Sequence, residues 1–277
     1  MARFAAQDGR ALEYDDSGGE GPPLLCLAGL TRNIRDFAHI PAMLPGRRVI
    51  RLSSRGRGGS DRAADPAAEY QIPVETADAL ALLDHLGIAR AAVLGASRGG
   101  ILGMAMAATR PGLVTALILN DVGASVETAG LLRIAGYVGV SPAARDFAGA
   151  AVALAEAHAN DFPGVPLARW EAHARAVHDD AGGAPVLSYD RALRVTLDGL
   201  NRDVRQIDLT PLFAACADIP LLVLRGALSD VLSAETLAGM QAARPDMIAV
   251  TVPDRGHAPF LDEPPAVAAI RAHLDRS

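Results

Sequence analysis

Short apolar runs recur along the chain, separated by stretches long enough to hold helices. Runs at 23–28 (Pro-Leu-Leu-Cys-Leu-Ala), 48–53, 91–95, 114–120, 220–225 and 247–252 each have the length of one buried strand, and an early strand is predicted at 11–15. Between them, 74–86 carries Leu80, Leu83 and Leu86 at helical spacing and stops at Gly87. Further helices are predicted at 98–109, ending before Pro111, at 233–243, and at 264–275, opened by Pro264-Pro265. Strands apolar on both faces that alternate with helices build a mostly parallel sheet covered on both sides.

The rhythm changes after Asp121. From about 125 to 210 the pattern predicts only helical segments, at 127–138, 143–158, 166–178 and 190–200, broken by Pro142, Pro163-Gly164 and Gly182-Gly183. The reading is an α/β fold: a mostly parallel, doubly wound sheet formed by 1–124 and 211–277, with an all-helical insertion at 125–210. Such an insertion leaves from the C-terminal edge of the strands, where open α/β sheets bind ligands, and a helical cap over a substrate pocket follows.

Composition narrows the function classes. The chain has 277 residues, half of them apolar and 21% charged, which excludes a disordered chain. A net charge of −6 argues against nucleic acid as a partner, because phosphate binding needs a basic surface. All 26 basic residues are arginine, which removes lysine Schiff-base chemistry and the phosphate-loop lysine. Cys26 and Cys216 make neither a disulfide framework nor a zinc site. The first residues lack the apolar core of a signal peptide, and no run of about 18 residues is uninterruptedly apolar. A cytoplasmic protein without a membrane partner is expected. Oligomeric state is left open.

The sharpest local signal is Gly95-Ala96-Ser97-Arg98-Gly99. It follows a predicted strand and opens a predicted helix, the context in which a G-x-S-x-G turn exposes a serine at the edge of a sheet. A serine that merely caps the helix is the plainer alternative. Activating the hydroxyl requires a base and an orienting carboxylate. His257, in Arg255-Gly256-His257-Ala258-Pro259 after the last predicted strand, lies at the same sheet edge. The other six histidines fall on helical patterns. Two carboxylates also follow strands at that edge, Asp230 in Gly226-Ala227-Leu228-Ser229-Asp230 and Asp121 after Asn120. Asp230 is the expected acid, because its loop has room to reach His257 and the chain order becomes Ser97, Asp230, His257.

In these residues the sequence resembles the α/β-hydrolase superfamily. The likeness runs through the Ala28-Gly29 loop, Arg55-Gly56-Arg57-Gly58-Gly59-Ser60-Asp61, the serine turn, the insertion, the acid loop and the histidine loop. It looks most like bacterial enol-lactone and carboxylic-ester hydrolases in 27–33, 82–88 and 119–123. The resemblance implies an acyl-enzyme on Ser97, with the backbone N–H groups of Leu30 and Arg98 as oxyanion donors and a small ester or lactone as substrate. It implies neither cofactor nor metal. A carbon–carbon bond hydrolase, an acyltransferase or a thioesterase would use the same three residues, and a non-catalytic ligand-binding protein would keep only the pocket. The sequence departs from the family at Ala28, where a histidine is usual, at Arg98, where an uncharged residue is commoner, and at Ser53, where an acidic residue is common. The Arg98 side chain must therefore find a carboxylate or water.

Overall fold

The computed structural model describes residues 1–276. Its strands are β1 (Ala2–Ala5), β2 (Ala11–Asp16), β3 (Pro23–Leu27), β4 (Arg48–Leu52), β5 (Ala91–Ala96), β6 (Val114–Asn120), β7 (Ser125–Glu127), β8 (His178–Ala181), β9 (Ala184–Leu187), β10 (Gln206–Asp208), β11 (Leu221–Gly226) and β12 (Ile248–Val252). Eight of them form one sheet in the order β1-β2-β4-β3-β5-β6-β11-β12. From β4 to β12 every pairing is parallel; β1 and β2 join antiparallel at one side.

The alternation within each strand explains the two layers of helix. On β3, Leu25 and Leu27 enter one apolar cluster while Leu24 and Cys26 enter the other; on β6, Leu117 and Leu119 face opposite to Ala116 and Ile118. Leu82 of the helix Ile72–His85 and Leu102 of the helix Arg98–Thr109 cover the first face. Ile40 and Ile270, the latter on the helix Pro264–Leu274, cover the second. The sheet is doubly wound, and the loops after β5, β6, β11 and β12 lie side by side at one edge.

The stretch between β6 and β11 adds no strand to this sheet. It holds the helices Thr128–Ala135, Phe147–Ala157 and Leu167–Val177 and a 3-10 turn at Arg191–Leu197. It is not all-helical. β8 and β9 form a hairpin, and β7 pairs with β10. The hairpin turns at Gly182 and Gly183, whose φ angles of +67° and +93° only glycine adopts freely. The glycine pair makes a reversal there instead of breaking a helix. The β7–β10 pairing, with Ser125 opposite Asp208, closes the base of the insertion. Phe147, Phe162 and Trp170 give it a core of its own. Among the described residues no helix is long and apolar enough to cross a membrane.

Candidate active site

β5 delivers Ser97 to the sheet edge through a turn that only small neighbours permit. Ser97 has φ +51° and ψ −119°, a backbone conformation rare for a residue with a side chain. A Cβ on Gly95 would lie 2.3 Å from the Gly99 carbonyl oxygen, and one on Gly99 would lie 2.0 Å from that of Leu27. The start of the helix Arg98–Thr109 therefore presses against the ends of β5 and β3. The Ser97 amide donates to the Asn120 carbonyl at 2.9 Å, which ties the turn to β6.

His257 arrives from the loop after β12. Its Nε2 is 2.8 Å from Ser97 Oγ, and its Nδ1 is 2.7 Å from Asp121 Oδ2. An ionised carboxylate only accepts hydrogen bonds, so Nδ1 carries the proton and Nε2 is free to accept from the serine hydroxyl. A Cβ on Gly226 would lie 2.4 Å from both the Arg255 and Gly256 carbonyl oxygens, so the bare end of β11 lets the histidine loop approach.

Asp121, and not Asp230, meets the histidine. Asp121 sits at the end of β6 with φ +60°, a left-handed conformation that aspartate tolerates better than most residues. Its side chain is fully buried. The Gly226 amide donates to Oδ1 at 2.8 Å, and the Ser229 hydroxyl donates to Oδ2 at 2.6 Å. The turn after β11, closed by the Ser229 amide on the Gly226 carbonyl, points Ser229 inward. Its hydroxyl oxygen also accepts from the amides of Val231 and Leu232. Asp230, one residue on, faces the insertion instead. It takes a two-point ion pair from Arg133, Nε to Oδ2 at 2.5 Å and Nη2 to Oδ1 at 2.8 Å. Burial pushes the Asp230 carboxyl up, but the Arg133 guanidinium outweighs it and leaves the group below its ordinary value. The expected Asp230–His257 bond is absent because Arg133, remote in sequence, claims that carboxylate.

Three further positions singled out in the sequence are Leu30, Arg98 and Ser53. A Cβ on Gly29 would lie 3.7 Å from Ser97 Cβ, so the turn bearing Leu30 flanks the serine. The Arg98 side chain finds Glu75, Nε to Oε2 at 3.0 Å and Nη2 to Oε1 at 3.1 Å. Ser53, where an acidic residue is common in the family, donates its hydroxyl to Glu13 Oε2 at 2.8 Å, and the Gly59 amide donates to the same oxygen at 2.9 Å.

The insertion lies over these loops. Arg133 pairs with Asp230, and Arg32 Nη1 is 3.1 Å from His173 Nε2. Tyr189 bridges to Arg57, and a Cβ on Gly256 would meet Asp161. His158, Phe162, Trp170 and His173 form an aromatic group that packs onto Phe260, three residues past His257.

A hydroxyl, an imidazole and a buried carboxylate in one hydrogen-bonded line, at the edge of a doubly wound parallel sheet, define the hydrolases of this fold. The chain belongs to that family: a family model described as the alpha/beta hydrolase fold matches residues 22–264. Among known proteins it is 32% identical over 265 residues to 3-hydroxybutyrate-oligomer hydrolase of Cupriavidus necator, spanning 93% of this chain and 90% of the relative. It is 28% identical over 241 residues to 2-(acetamidomethylene)succinate hydrolase of Mesorhizobium japonicum, spanning 86% and 82%. Its fold superposes on the crystal structure of an alpha/beta hydrolase from Novosphingobium aromaticivorans with a TM-score of 0.92 at 41% identity, over 100% of this chain and 98% of the other.

Proposed function

We propose that the protein is a serine-dependent hydrolase of small carboxylic esters or lactones, with Ser97 as nucleophile, His257 as general base and Asp121 as the carboxylate that orients it. The observation that carries this reading is the unbroken line Ser97 Oγ–His257 Nε2 and His257 Nδ1–Asp121 Oδ2, at 2.8 and 2.7 Å. As Ser97 Oγ attacks the carbonyl carbon, its proton passes to Nε2. The carbonyl oxygen becomes an oxyanion facing the amides of Leu30 and Arg98, each worth about 3 kcal/mol of barrier in comparable sites. Collapse of the tetrahedral species breaks the bond to the leaving oxygen, which takes the proton from Nε2. Water then repeats the sequence on the acyl-enzyme and releases the acid.

Similarity to a hydrolase of 3-hydroxybutyrate oligomers favours an ester between hydroxy acids over a carbon–carbon bond. The insertion 125–210 acts as the cap under which the acyl chain binds.

The test is labelling with a fluorophosphonate and turnover of a p-nitrophenyl ester series and of hydroxybutyrate dimers. The expected result is a mass increase on the peptide holding Ser97 and a burst of nitrophenol, both lost in Ser97→Ala with the fold intact. Ser97→Ala that keeps most of the activity overturns the reading.

A further inference from the structure

One buried carboxylate in this protein serves two guanidinium groups. Glu75 and Arg57 are each about 1% exposed, and Arg98 closes the trio. Glu75 Oε1 accepts from Arg57 Nη1 at 2.8 Å, and both Glu75 oxygens accept from Arg98. Burial pushes the Glu75 carboxyl up, but the two guanidinium groups outweigh burial and hold it below its ordinary value. A buried Glu75–Arg57 pair is a costly way to fill a core, since apolar residues of equal volume serve stability as well. Its other bonds lead somewhere specific. Arg57 Nε donates to the Leu30 carbonyl at 2.7 Å, and Arg57 Nη1 donates to the Arg55 carbonyl at 2.7 Å. Arg98 Nη2 donates to the Tyr70 carbonyl at 2.9 Å.

We infer that the Arg57–Glu75–Arg98 bridge is a positioning device that sets the Leu30 and Arg98 amides against each other before substrate arrives. The inference rests on the reading of those amides as oxyanion donors. A peptide N–H lies in one plane with the carbonyl of the preceding residue. The Leu30 N–H therefore turns with the Gly29 carbonyl, which accepts from the Arg32 amide at 3.1 Å. The next carbonyl, that of Leu30, is the one Arg57 holds. With both flanking carbonyls fixed, the Leu30 N–H has one direction. On the other side, the Ser97 carbonyl, coplanar with the Arg98 N–H, accepts from the Gly100 amide at 2.8 Å, and the Arg98 side chain is anchored to the same Glu75. The two donors come from segments almost 70 residues apart in sequence, and one carboxylate links their supports. Donors fixed in advance stabilise a developing charge without reorganising, and small misplacement is expensive in rate.

The test uses the full chain and two variants. Arg57→Lys keeps a cation for Glu75 but has no second nitrogen to hold the Leu30 carbonyl. Arg98→Met leaves the Arg57 bonds in place and removes the other arm, at a side chain that is already partly exposed. For each, kcat and KM on one nitrophenyl ester are measured beside the inhibition constant of a matching trifluoromethyl ketone, which adds to Ser97 as a tetrahedral oxyanion. The expected result is kcat lower by about tenfold or more, KM within about twofold, and ketone affinity weakened in proportion to kcat. The pH profile of kcat/KM keeps its midpoint, because Ser97, His257 and Asp121 are untouched. A wild-type kcat in Arg57→Lys, or a change confined to KM, overturns the inference. Should Arg57→Lys fail to fold, Arg98→Met decides by the same criteria. Wild-type protein that neither turns over ester nor labels at Ser97 ends the underlying reading; normal labelling and turnover with both variants at wild-type kcat ends only the bridge.

Discussion

Asp121 Oδ2 receives His257 Nδ1 at 2.7 Å and the Ser229 hydroxyl at 2.6 Å, so one buried oxygen orients the imidazole while a neighbouring loop holds that oxygen in place. Replacing Asp121 by asparagine puts a group that can donate opposite Nδ1 and favours the tautomer with its proton on Nε2, facing Ser97. Asp121→Asn is expected to fold and to lose kcat by about 10⁴. Asp230→Asn removes only a half-exposed pair with Arg133, and such pairs are worth up to about 1 kcal/mol. Its activity is expected to stay within about fivefold of wild type. Steady-state kinetics on the two variants check the assignment, and the reverse ranking would return the role to Asp230.

Why one part of this site was readable from sequence and another was not follows from how local each determinant is. Ser97 announces itself because the turn needs small residues at fixed offsets, and Gly95 and Gly99 supply them within five positions. The parallel sheet is legible for the same reason: each strand is a short, mostly apolar run. Asp121 and Asp230 are equivalent by that standard, since each follows a strand at the same edge. What separates them is a left-handed φ at Asp121, a turn that points Ser229 and not Asp230 inward, and an arginine 97 positions from Asp230. None of these is written next to either residue. The hairpin of β8 and β9 was within reach, because two consecutive glycines between short polar-and-apolar runs favour a reversal. The partners of Arg98 were not: its need for a carboxylate was plain, but Glu75 lies on a helix 23 positions earlier.

The glycine after Arg98 offers a direct check on the serine turn. A Cβ there would come within 2.0 Å of the Leu27 carbonyl oxygen and 2.8 Å of that of Ala28, both of them backbone atoms that cannot swing aside. Gly99→Ala is therefore expected to destabilise the fold by about 2–3 kcal/mol or more, the upper range for overpacking. The same shift moves the strand end that leads into Leu30, so the residual activity of the folded fraction should fall as well. Gly239→Ala, on a helix where a Cβ would meet nothing within 4 Å, is the control and should be neutral or slightly stabilising. Urea unfolding of the two variants measures the difference; equal midpoints would show that the strand end can yield.

The histidine that faces Arg32 is expected to make the insertion sensitive to mild acid. His173 is nine-tenths buried against Trp170 and Phe260, with ring centres 5.6 and 5.2 Å away. Burial first, and then the charges of Arg32 and Arg169, hold its imidazole well below its ordinary value. It is neutral in the folded protein and accepts from the Arg32 guanidinium. The unfolded chain binds a proton at this position near pH 6.5. Stability from this group is therefore complete above about pH 6.5 and is lost as pH falls below it, by up to about 1.4 kcal/mol for each unit until the folded-state value is reached. Burial lowers His39, His178 and His273 in the same direction, so their losses add. Carboxylates lowered by an arginine act in a lower window: Glu69, paired with Arg10, is held at about 2 and loses its contribution only below its unfolded value near 4.5. Between pH 7 and 5 the fall in melting temperature should thus come mainly from histidine. Replacing His173 by glutamine, which still offers Arg32 an oxygen but does not titrate, is expected to flatten that fall while leaving the melting temperature at pH 8 within a few degrees of wild type. Melting curves at half-unit steps from pH 8 to 5 measure it, and an unchanged slope in His173→Gln would assign the acid sensitivity to the other three.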